Sequence, residues 1–353
     1  MSDSTLLAKN EEKVEKKPFA NLIEGIKNFF KNPKEGFQKF WKFLKKQNGW
    51  LFLLPAIILM AIFTFYPIVN SLTQAFKQDV DPLAGVYDGW GFGNFTSVIK
   101  GGIGSGAEFK TCLINTLILA FISVPLSTVI ALLISVALNS IKVLQKAYQT
   151  IFFLPYLTNA LAMGAVFATF FNIVAANPQD TSTFETAGLV NNFLGIFGIS
   201  PINWMNAGSA TWANYVVIII YSIWSGLPFK ILILFSALQN VGKQYYDAAK
   251  VDGASKTTVL TKITVPLISP MISYLIVTGV MGAMKSYSSI VGIFGSAMGP
   301  TGDYEMGTMV GYIYSMIENN QTGYAAAGSI ILFIIIMIFT AINMQVSKKK
   351  VHF

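Results

Sequence analysis

Residues 113–138 read LINTLILAFISVPLSTVIALLISVAL, a run of 26 residues without a charged side chain. A helix that crosses the hydrocarbon core of a bilayer needs about 20 predominantly apolar residues. The run also contains Pro125 and several hydroxyl side chains, which membrane helices accommodate where they pack against one another. This stretch therefore predicts a transmembrane helix inside a bundle.

Five further segments meet the same criterion, so the sequence predicts an all-α, polytopic integral membrane protein with six transmembrane helices. The predicted spans are residues 50–72, 113–138, 151–173, 213–238, 266–290 and 325–346. The composition agrees, because 53% of the 353 residues are hydrophobic and only 12% are charged. Soluble domains carry about 25% charged residues, so this apolar surface requires a bilayer.

The distribution of lysine predicts the orientation of these spans. Every cationic residue is lysine, and 20 of the 25 lie in the N-terminal tail, the second and fourth connecting segments and the C-terminal tail. The third and fifth connecting segments contain acidic residues and no lysine. Because lysine accumulates in cytoplasmic segments, both termini are predicted to be cytoplasmic. The net charge of +8 thus reflects topology, and no nucleic-acid partner is expected.

The sequence is predicted to divide into three parts. Residues 1–49 form a Lys-rich cytoplasmic extension, in which apolar positions at helical spacing predict two amphipathic helices on the membrane surface. A partly disordered basic tail is the alternative for this part. Residues 50–346 form the six-helix transmembrane domain, with a core at about 110–346, and residues 347–353 form a cytoplasmic tail.

Several kinds of chemistry are excluded by the residues present. Cys112 is the single cysteine and His352 the single histidine, so a disulfide, a Cys/His metal site and histidine acid–base catalysis have no candidates. A phosphate-binding loop needs a Gly-Lys pair, which the run from Gly253 to Thr257 lacks. No Asp or Glu falls within the six spans, so a carboxylate proton relay is not expected.

The fourth connecting segment, residues 243–266, reads KQYYDAAKVDGASKTTVLTKITVP. Residues 247–249 are interpreted as the first turn of a short helix. The negative charge of Asp247 would there interact favourably with the positive end of the helix dipole. Gly253 permits a turn, and a second short helix is expected to end at Ile263. Pro266 is expected in the first turn of the next span. A cytoplasmic helical hairpin of this kind suits docking with a partner; the alternative is an interhelical loop without one.

This hairpin resembles the "EAA" loop of binding-protein-dependent ABC importer permeases, whose pattern is E-A-A-x3-G-x9-I-x-L-P. The matching positions are Asp247, Ala248, Ala249, Gly253, Ile263 and Pro266. Two departures are Asp247 in place of Glu and Val265 in place of Leu. Flanking runs, such as FFLPY at 152–156 and SALQ at 236–239, resemble the carbohydrate-uptake branch, with its maltose and glycerol-phosphate permeases.

The resemblance implies a non-catalytic permease subunit of an ATP-driven importer, multi-pass in a bacterial cell membrane. It would translocate a sugar or oligosaccharide by alternating access. The implied partners are a second homologous permease, two cytoplasmic ABC ATPase subunits and an external solute-binding protein. No cofactor is expected in this chain, since ATP and Mg would be bound by the ATPase subunits. A secondary transporter, a channel and an assembly subunit are the alternatives.

The resemblance also implies where substrate would bind, on the spans before and after the hairpin. The implied residues are Ser222, Ser225, Gly226 and Phe229, and then Gly279, Gly282, Ala283 and Ser286. In each set the spacing is i, i+3, i+4, i+7, which is one helix face. Hydroxyls could bond a sugar and Phe229 could stack on its ring. The alternative is ordinary close packing of helices through small residues.

Two lysines lie within the spans, Lys230 and Lys285, and each is rotated off the predicted pocket face by about 100°. Both are expected to extend their ammonium groups to a membrane interface. A neutral sugar is therefore favoured. A permease for an anionic sugar derivative or for glycerol phosphate is the alternative, in which a lysine would face the pocket.

Overall fold

The fold is taken from a computed structural model that describes residues 48–78, 86–100, 106–141, 143–177, 180–300 and 305–350. The two amphipathic helices predicted within residues 1–49 lie outside these ranges and stay a prediction. Contacts divide the chain into two units, Met1–Ser71 and Leu72–Phe353. The first unit contains α1 (Asn48–Met60), a π-helical turn (Ala61–Phe65) and the start of α2 (Tyr66–Phe76).

The regular elements in the described part of the second unit are helices and two short antiparallel hairpins. Its strands are β1 (Lys77–Gln78) with β2 (Gly89–Trp90), and β3 (Ile173–Asn177) with β4 (Asp180–Ala187). Its helices are α3 (Gly93–Lys100), α4 (Gly106–Ser140), α5 (Gln145–Phe153), α6 (Ala160–Phe171), α7 (Leu189–Ile196), α8 (Thr211–Gln239), α9 (Lys243–Val251), α10 (Lys256–Val259), α11 (Val265–Leu267), α12 (Ser269–Ala283), α13 (Ser288–Phe294), α14 (Met309–Glu318) and α15 (Thr322–Lys350).

The described residues contain six spans if each bent helix pair is taken as one span, which agrees with the sequence prediction. Four are continuous: Leu53–Phe76, Glu108–Ser140, Thr211–Gln239 and Thr322–Gln345. The other two are bent pairs, Gln145–Leu157 with Ala160–Phe171 at 101° and Lys256–Leu267 with Ser269–Ala283 at 70°. Prolines lie near the break of both bent pairs, but Pro125 and Pro228 lie inside continuous helices, so a proline alone does not break a span.

The third span was predicted to be one helix over 151–173, and this is wrong. The chain forms a 3-10 turn at Leu154–Leu157, with Pro155 as its second residue. The backbone then becomes extended at Thr158. Asn159 then starts a new helix, because its side-chain oxygen accepts hydrogen bonds from the amides of Leu161 (2.8 Å) and Ala162 (3.4 Å). Residue 173 already belongs to β3.

The fifth span was predicted over 266–290, and it too is interrupted. Ile268 leaves helical geometry (φ −98°, ψ 7°), so that the bend falls after Pro266 rather than before it. Pro270, not Pro266, occupies the first turn of the span that begins at Ser269, where a missing amide hydrogen has no cost to the helix. The helix stops at Ala283 and α13 starts at Ser288.

The core of the second unit is arranged around α4, which contributes buried residues to three apolar clusters. Near its start, Cys112 and Ala120 pack with residues of α12, α14 and α15. Leu119 packs with α6, α8 and α13, and Ala131 packs with α8 and α12. The Ser135 hydroxyl also donates to the carbonyl of Ile231 on α8 at 3.2 Å. The middle of α4 is thereby placed between α8 and α12.

Candidate functional site

A cavity of about 270 Å³ lies between α4, α8 and α12. Seven of the eight predicted substrate-binding residues line it, and the eighth, Phe229, does not. The seven are Ser222, Ser225, Gly226, Gly279, Gly282, Ala283 and Ser286. The remaining lining residues are Leu119, Ser123, Val124 and Ser127 of α4, together with Lys230 and Ser289. The structure thus brings the two predicted helix faces together and adds α4 as a third wall.

Small residues leave this space open, but two glycines on α12 do so in different ways. A Cβ added at Gly282 would meet no atom within 4 Å, so Gly282 faces the open cavity. A Cβ added at Gly279 would lie 2.8 Å from Cγ1 of Val124 and 3.7 Å from Cε of Lys230. Gly279 is therefore needed for α12 to approach α4 closely, whereas Gly282 keeps room for a ligand.

Serine hydroxyls give the cavity its polar surface. The Ser286 and Ser289 hydroxyls are 2.5 Å apart, and Ser225 donates to the Ser222 carbonyl at 3.3 Å. On α4, the Ser127 hydroxyl bonds to the carbonyls one turn earlier. The Ser123 hydroxyl is buried and has no hydrogen-bond partner among the described residues. A buried hydroxyl without a partner is costly, so a ligand in the cavity would find an uncommitted donor and acceptor there.

Lys230 was predicted to extend to a membrane interface, and this is wrong. It lines the cavity and is only 6% exposed. Its Nζ donates to the carbonyl oxygen of Val124 at 3.0 Å and to Oγ of Ser127 at 2.5 Å. Side chains of a helix lean towards its N-terminus, so the long lysine side chain extends over the preceding turn, where Gly226 has no side chain to obstruct it.

Phe229 was predicted to offer a stacking surface to the sugar, and the structure places it elsewhere. Its ring stacks on Tyr156, with ring centroids 5.9 Å apart and an interplanar angle of 21°. The helix α8 continues through Pro228 without a break, so Phe229 is directed to Tyr156 by its position at the edge of the cavity-facing side. The residues that line the cavity include no aromatic side chain.

Lys285, the second lysine of the predicted spans, is exposed and is absent from the cavity lining. Sequence reasoning also missed Ser123 and Ser127. Their spacing of four residues on either side of Pro125 places both hydroxyls on one face of α4. That spacing was a usable signal, but it could be interpreted only once α4 was known to contact α8 and α12.

The predicted coupling hairpin is formed by α9, a turn at Gly253, and the helical stretch Lys256–Leu267. The helix α9 starts at Lys243, so Asp247 is its fifth residue and not in its first turn, contrary to the prediction. The local reason is Gly242, whose extended conformation (φ −58°, ψ 129°) starts the helix earlier. Asp247 and Ala248 are exposed, whereas Ala249 is buried.

The turn of the hairpin is fixed by backbone hydrogen bonds. Gly253 has a φ of +68°, the left-handed conformation that glycine adopts most readily. The amide of Ala254 donates to the carbonyl of Ala249 at 2.9 Å, and that of Gly253 donates to Lys250 at 3.2 Å. This pair of bonds is a Schellman motif. It ends α9 and leaves Val251 at the tip, 87% exposed.

The second arm of the hairpin starts with a side-chain cap. The Ser255 hydroxyl accepts a hydrogen bond from the amide of Thr258 at 3.2 Å. The arm then passes through a π-helical turn, Leu260–Thr264, which contains the half-buried Ile263 and precedes the exposed Pro266. Thr264 is buried, and its hydroxyl lies 3.4 Å from that of Tyr246 on α9. The two arms are therefore joined on one side, while Asp247, Ala248 and Val251 remain exposed.

Metal binding has no candidate within the described part of the chain, where no group of three or more His, Cys, Asp or Glu side chains is close enough to hold an ion. The polar groups of the cavity lining are serine hydroxyls and the ammonium group of Lys230, and its small residues are glycines and an alanine. Such a surface can form hydrogen bonds with a polyhydroxyl ligand, and it can form a charge-assisted bond with an anionic one.

Comparison with known proteins gives a consistent result. Residues 111–352 match the family described as "Binding-protein-dependent transport system inner membrane component". The arabinooligosaccharides transport system permease protein AraP of Bacillus subtilis is 28% identical over 320 residues, which is 89% of this chain and 94% of AraP. The lactose transport system permease protein LacF of Rhizobium radiobacter is 27% identical, over 82% of this chain and 90% of LacF.

Among solved structures, the fold resembles a chain of a bacterial alginate ABC transporter in complex with an alginate pentasaccharide-bound periplasmic protein. The TM-score is 0.70, and the match covers 88% of this chain and 97% of that one at 22% sequence identity. At this level of sequence identity, the similarity shows the fold alone.

Proposed function

Because the chain belongs to the family of binding-protein-dependent transport system inner membrane components, we propose that it moves a sugar or oligosaccharide through the cavity between α4, α8 and α12. The chain is a multi-pass permease subunit of the cell membrane. Its relatives AraP and LacF are named for arabinooligosaccharide and lactose transport. The observation that carries the proposal is the cavity itself, which is lined by serines of α4, α8, α13 and the turn between α12 and α13.

The proposed substrate contacts are hydrogen bonds between sugar hydroxyls and the serines of the cavity. Ser222 and Ser225 on α8 line this space together with Ser286, which lies in the turn between α12 and α13. A hydroxyl can donate one hydrogen bond and accept two, so a serine-lined wall can bond sugar hydroxyls in more than one orientation. This chain would supply one half of the pathway, and a second homologous permease subunit would supply the other.

The hairpin from α9 to α11 is proposed to dock on one of two cytoplasmic ABC ATPase subunits, which would bind ATP and Mg. Its exposed surface combines Asp247, Ala248 and Val251, and its turn is held by the hydrogen bonds at Gly253. An external solute-binding protein would deliver the substrate.

Movement of this hairpin would change the exposure of the cavity from one side of the membrane to the other. The hairpin is continuous with α12 through the bend at Ile268, so a displacement of the hairpin is transmitted to a wall of the cavity. Transport requires that the ATPase subunits bind the two conformations with different free energies. ATP hydrolysis would therefore occur in the partners, and this chain would convert it into alternating access.

The test is reconstitution of the chain in liposomes with the second permease, the ATPase subunits and the solute-binding protein encoded with it. The tested substrate is a radiolabelled saccharide that the binding protein binds. Its uptake should require ATP in the liposome lumen, where the ATPase subunits lie, and the binding protein in the outer solution. Uptake that proceeds at the same rate without ATP would indicate a secondary transporter or channel. ATP hydrolysis without any saccharide uptake would contradict the proposed substrate class.

A further inference from the structure

Lys230 is a buried cation with which no acidic side chain of the described residues forms an ion pair. No Asp or Glu occurs within the six predicted spans. An ammonium group has three N–H donors, and two of those of Lys230 bond to the Val124 carbonyl and the Ser127 hydroxyl. Both partners are neutral. The third donor has no partner among the described residues, and the side chain lines the cavity.

The lysine is also held in place by close packing. Its Cε would lie 3.7 Å from a Cβ at Gly279, so its aliphatic stem passes between α4 and α12. A Cβ at Gly226 would lie 3.8 Å from Oγ of Ser127, the atom that Lys230 contacts. The two hydrogen bonds to α4 place the ammonium group at the wall that this helix forms.

Burial of a charge that is not paired is strongly unfavourable, and proteins normally pair such groups. In this cavity the hydrogen bonds of Lys230 compensate for lost water, but its charge stays uncompensated. The Ser123 hydroxyl, one turn from Ser127 on the same face of α4, is buried and also has no partner among the described residues. A third donor on Lys230 and a free hydroxyl on Ser123 are what an anionic oxygen would bind.

We propose that the saccharide carried through this cavity bears an anionic group, and that Lys230 and Ser123 bind it. This inference rests on the proposed function and specifies its substrate class. The shared chemistry is that of an anionic oxygen, which a uronic acid carboxylate or a sugar phosphate can provide. The charge on the substrate supplies a counter-ion that the described residues do not provide, so acidic saccharides are selected over neutral ones of the same size.

The experiment uses the reconstituted complete transporter with its binding protein. Neutral di- and trisaccharides, their uronate forms and their 6-phosphate forms are offered as labelled substrates. We expect an acidic member to be imported with a kcat/KM at least 10-fold above that of its neutral counterpart. The uronate and phosphate arms then identify which anion is recognised.

In Lys230→Gln, the KM for the acidic substrate should rise about 10- to 100-fold, because a charge-assisted hydrogen bond is lost. The KM of Lys230→Gln for the neutral counterpart should change by less than about 2-fold. A merely structural role of Lys230 would change both KM values to a similar extent. Ser123→Ala should raise the KM for the acidic substrate by about 3- to 10-fold, as expected for one hydrogen bond. Lys285→Gln removes an exposed lysine and is the matched control.

Import of a neutral saccharide in preference to its acidic forms would overturn the inference and leave the proposed function intact. So would an unchanged KM for the acidic substrate in Lys230→Gln. Failure to import any saccharide would overturn the proposed function, and this inference with it. If Lys230→Gln does not assemble, as judged by gel filtration of the complex, the Ser123→Ala variant and the charge preference of the wild-type transporter decide the question.

Discussion

The turn at Gly253 offers a test of coupling that depends on backbone conformation alone. The residue has a φ of +68°, and a Cβ added there would meet no atom within 4 Å. A Cβ at this position therefore clashes with none of the described residues. The main cost of a substitution is then the preference of L-residues for negative φ, and the series Gly253→Asn, Gly253→Ala and Gly253→Val varies that cost.

The magnitude follows from the cost of the left-handed conformation. For an L-residue this cost is roughly 1–2 kcal/mol, and asparagine tolerates it best. Alanine offsets about 0.4–1 kcal/mol of this cost, because it lowers the conformational entropy of the unfolded chain relative to glycine. The net effect of Gly253→Ala is then about 1 kcal/mol, which shifts the equilibrium away from the capped hairpin by about 5-fold. Valine should cost more, since β-branched residues are true outliers at positive φ.

The assay compares two quantities at equal amounts of membrane-inserted permease. The first is the amount of ATPase subunit that remains bound to the permease after purification in detergent. The second is the rate of ATP hydrolysis that the binding protein stimulates in liposomes. We expect both to decrease in the order Gly, Asn, Ala, Val. Wild-type activity in the Val variant would refute the reasoning. So would an Asn variant as defective as Val, because the cause would then be an added side chain at the ATPase surface.

Three further predictions concern packing and docking. Val251→Glu should weaken retention of the ATPase subunits without changing the thermal stability of the permease, since Val251 is 87% exposed; full retention would contradict the docking surface. Gly282→Trp should block saccharide uptake by filling the cavity, whereas Gly279→Ala, with a Cβ 2.8 Å from a valine of α4, should lower stability by about 1–3 kcal/mol. Gly164→Ala should lower stability by a similar amount, because its Cβ would lie 2.8 Å from the backbone of α13. Gly195→Ala has open space around it and is the control; equal unfolding midpoints of the two variants would contradict the close helix crossing.

The sequence determined the class of the protein and the position of its main features. Long uncharged runs, such as residues 113–138, have only one stable environment, and their hydropathy does not depend on tertiary contacts. The hairpin at 243–266 was predictable for a similar reason, because the conformation of Gly253 is a local property of the backbone. The resemblance to importer permeases implied substrate residues on the spans before and after the hairpin, and seven of those eight residues line the cavity.

The tertiary structure decided what the helical spacing of these residues could not. Phe229 follows Pro228, and its ring stacks on Tyr156 of a different span, so it does not line the cavity. Lys230 was expected at a membrane interface because its Cα lies off the predicted face. Its long side chain instead extends over the turn of Gly226 to the hydroxyl of Ser127. The destination of a long side chain depends on the helix opposite, and only the packing of α4 against α8 determines which groups lie within its reach.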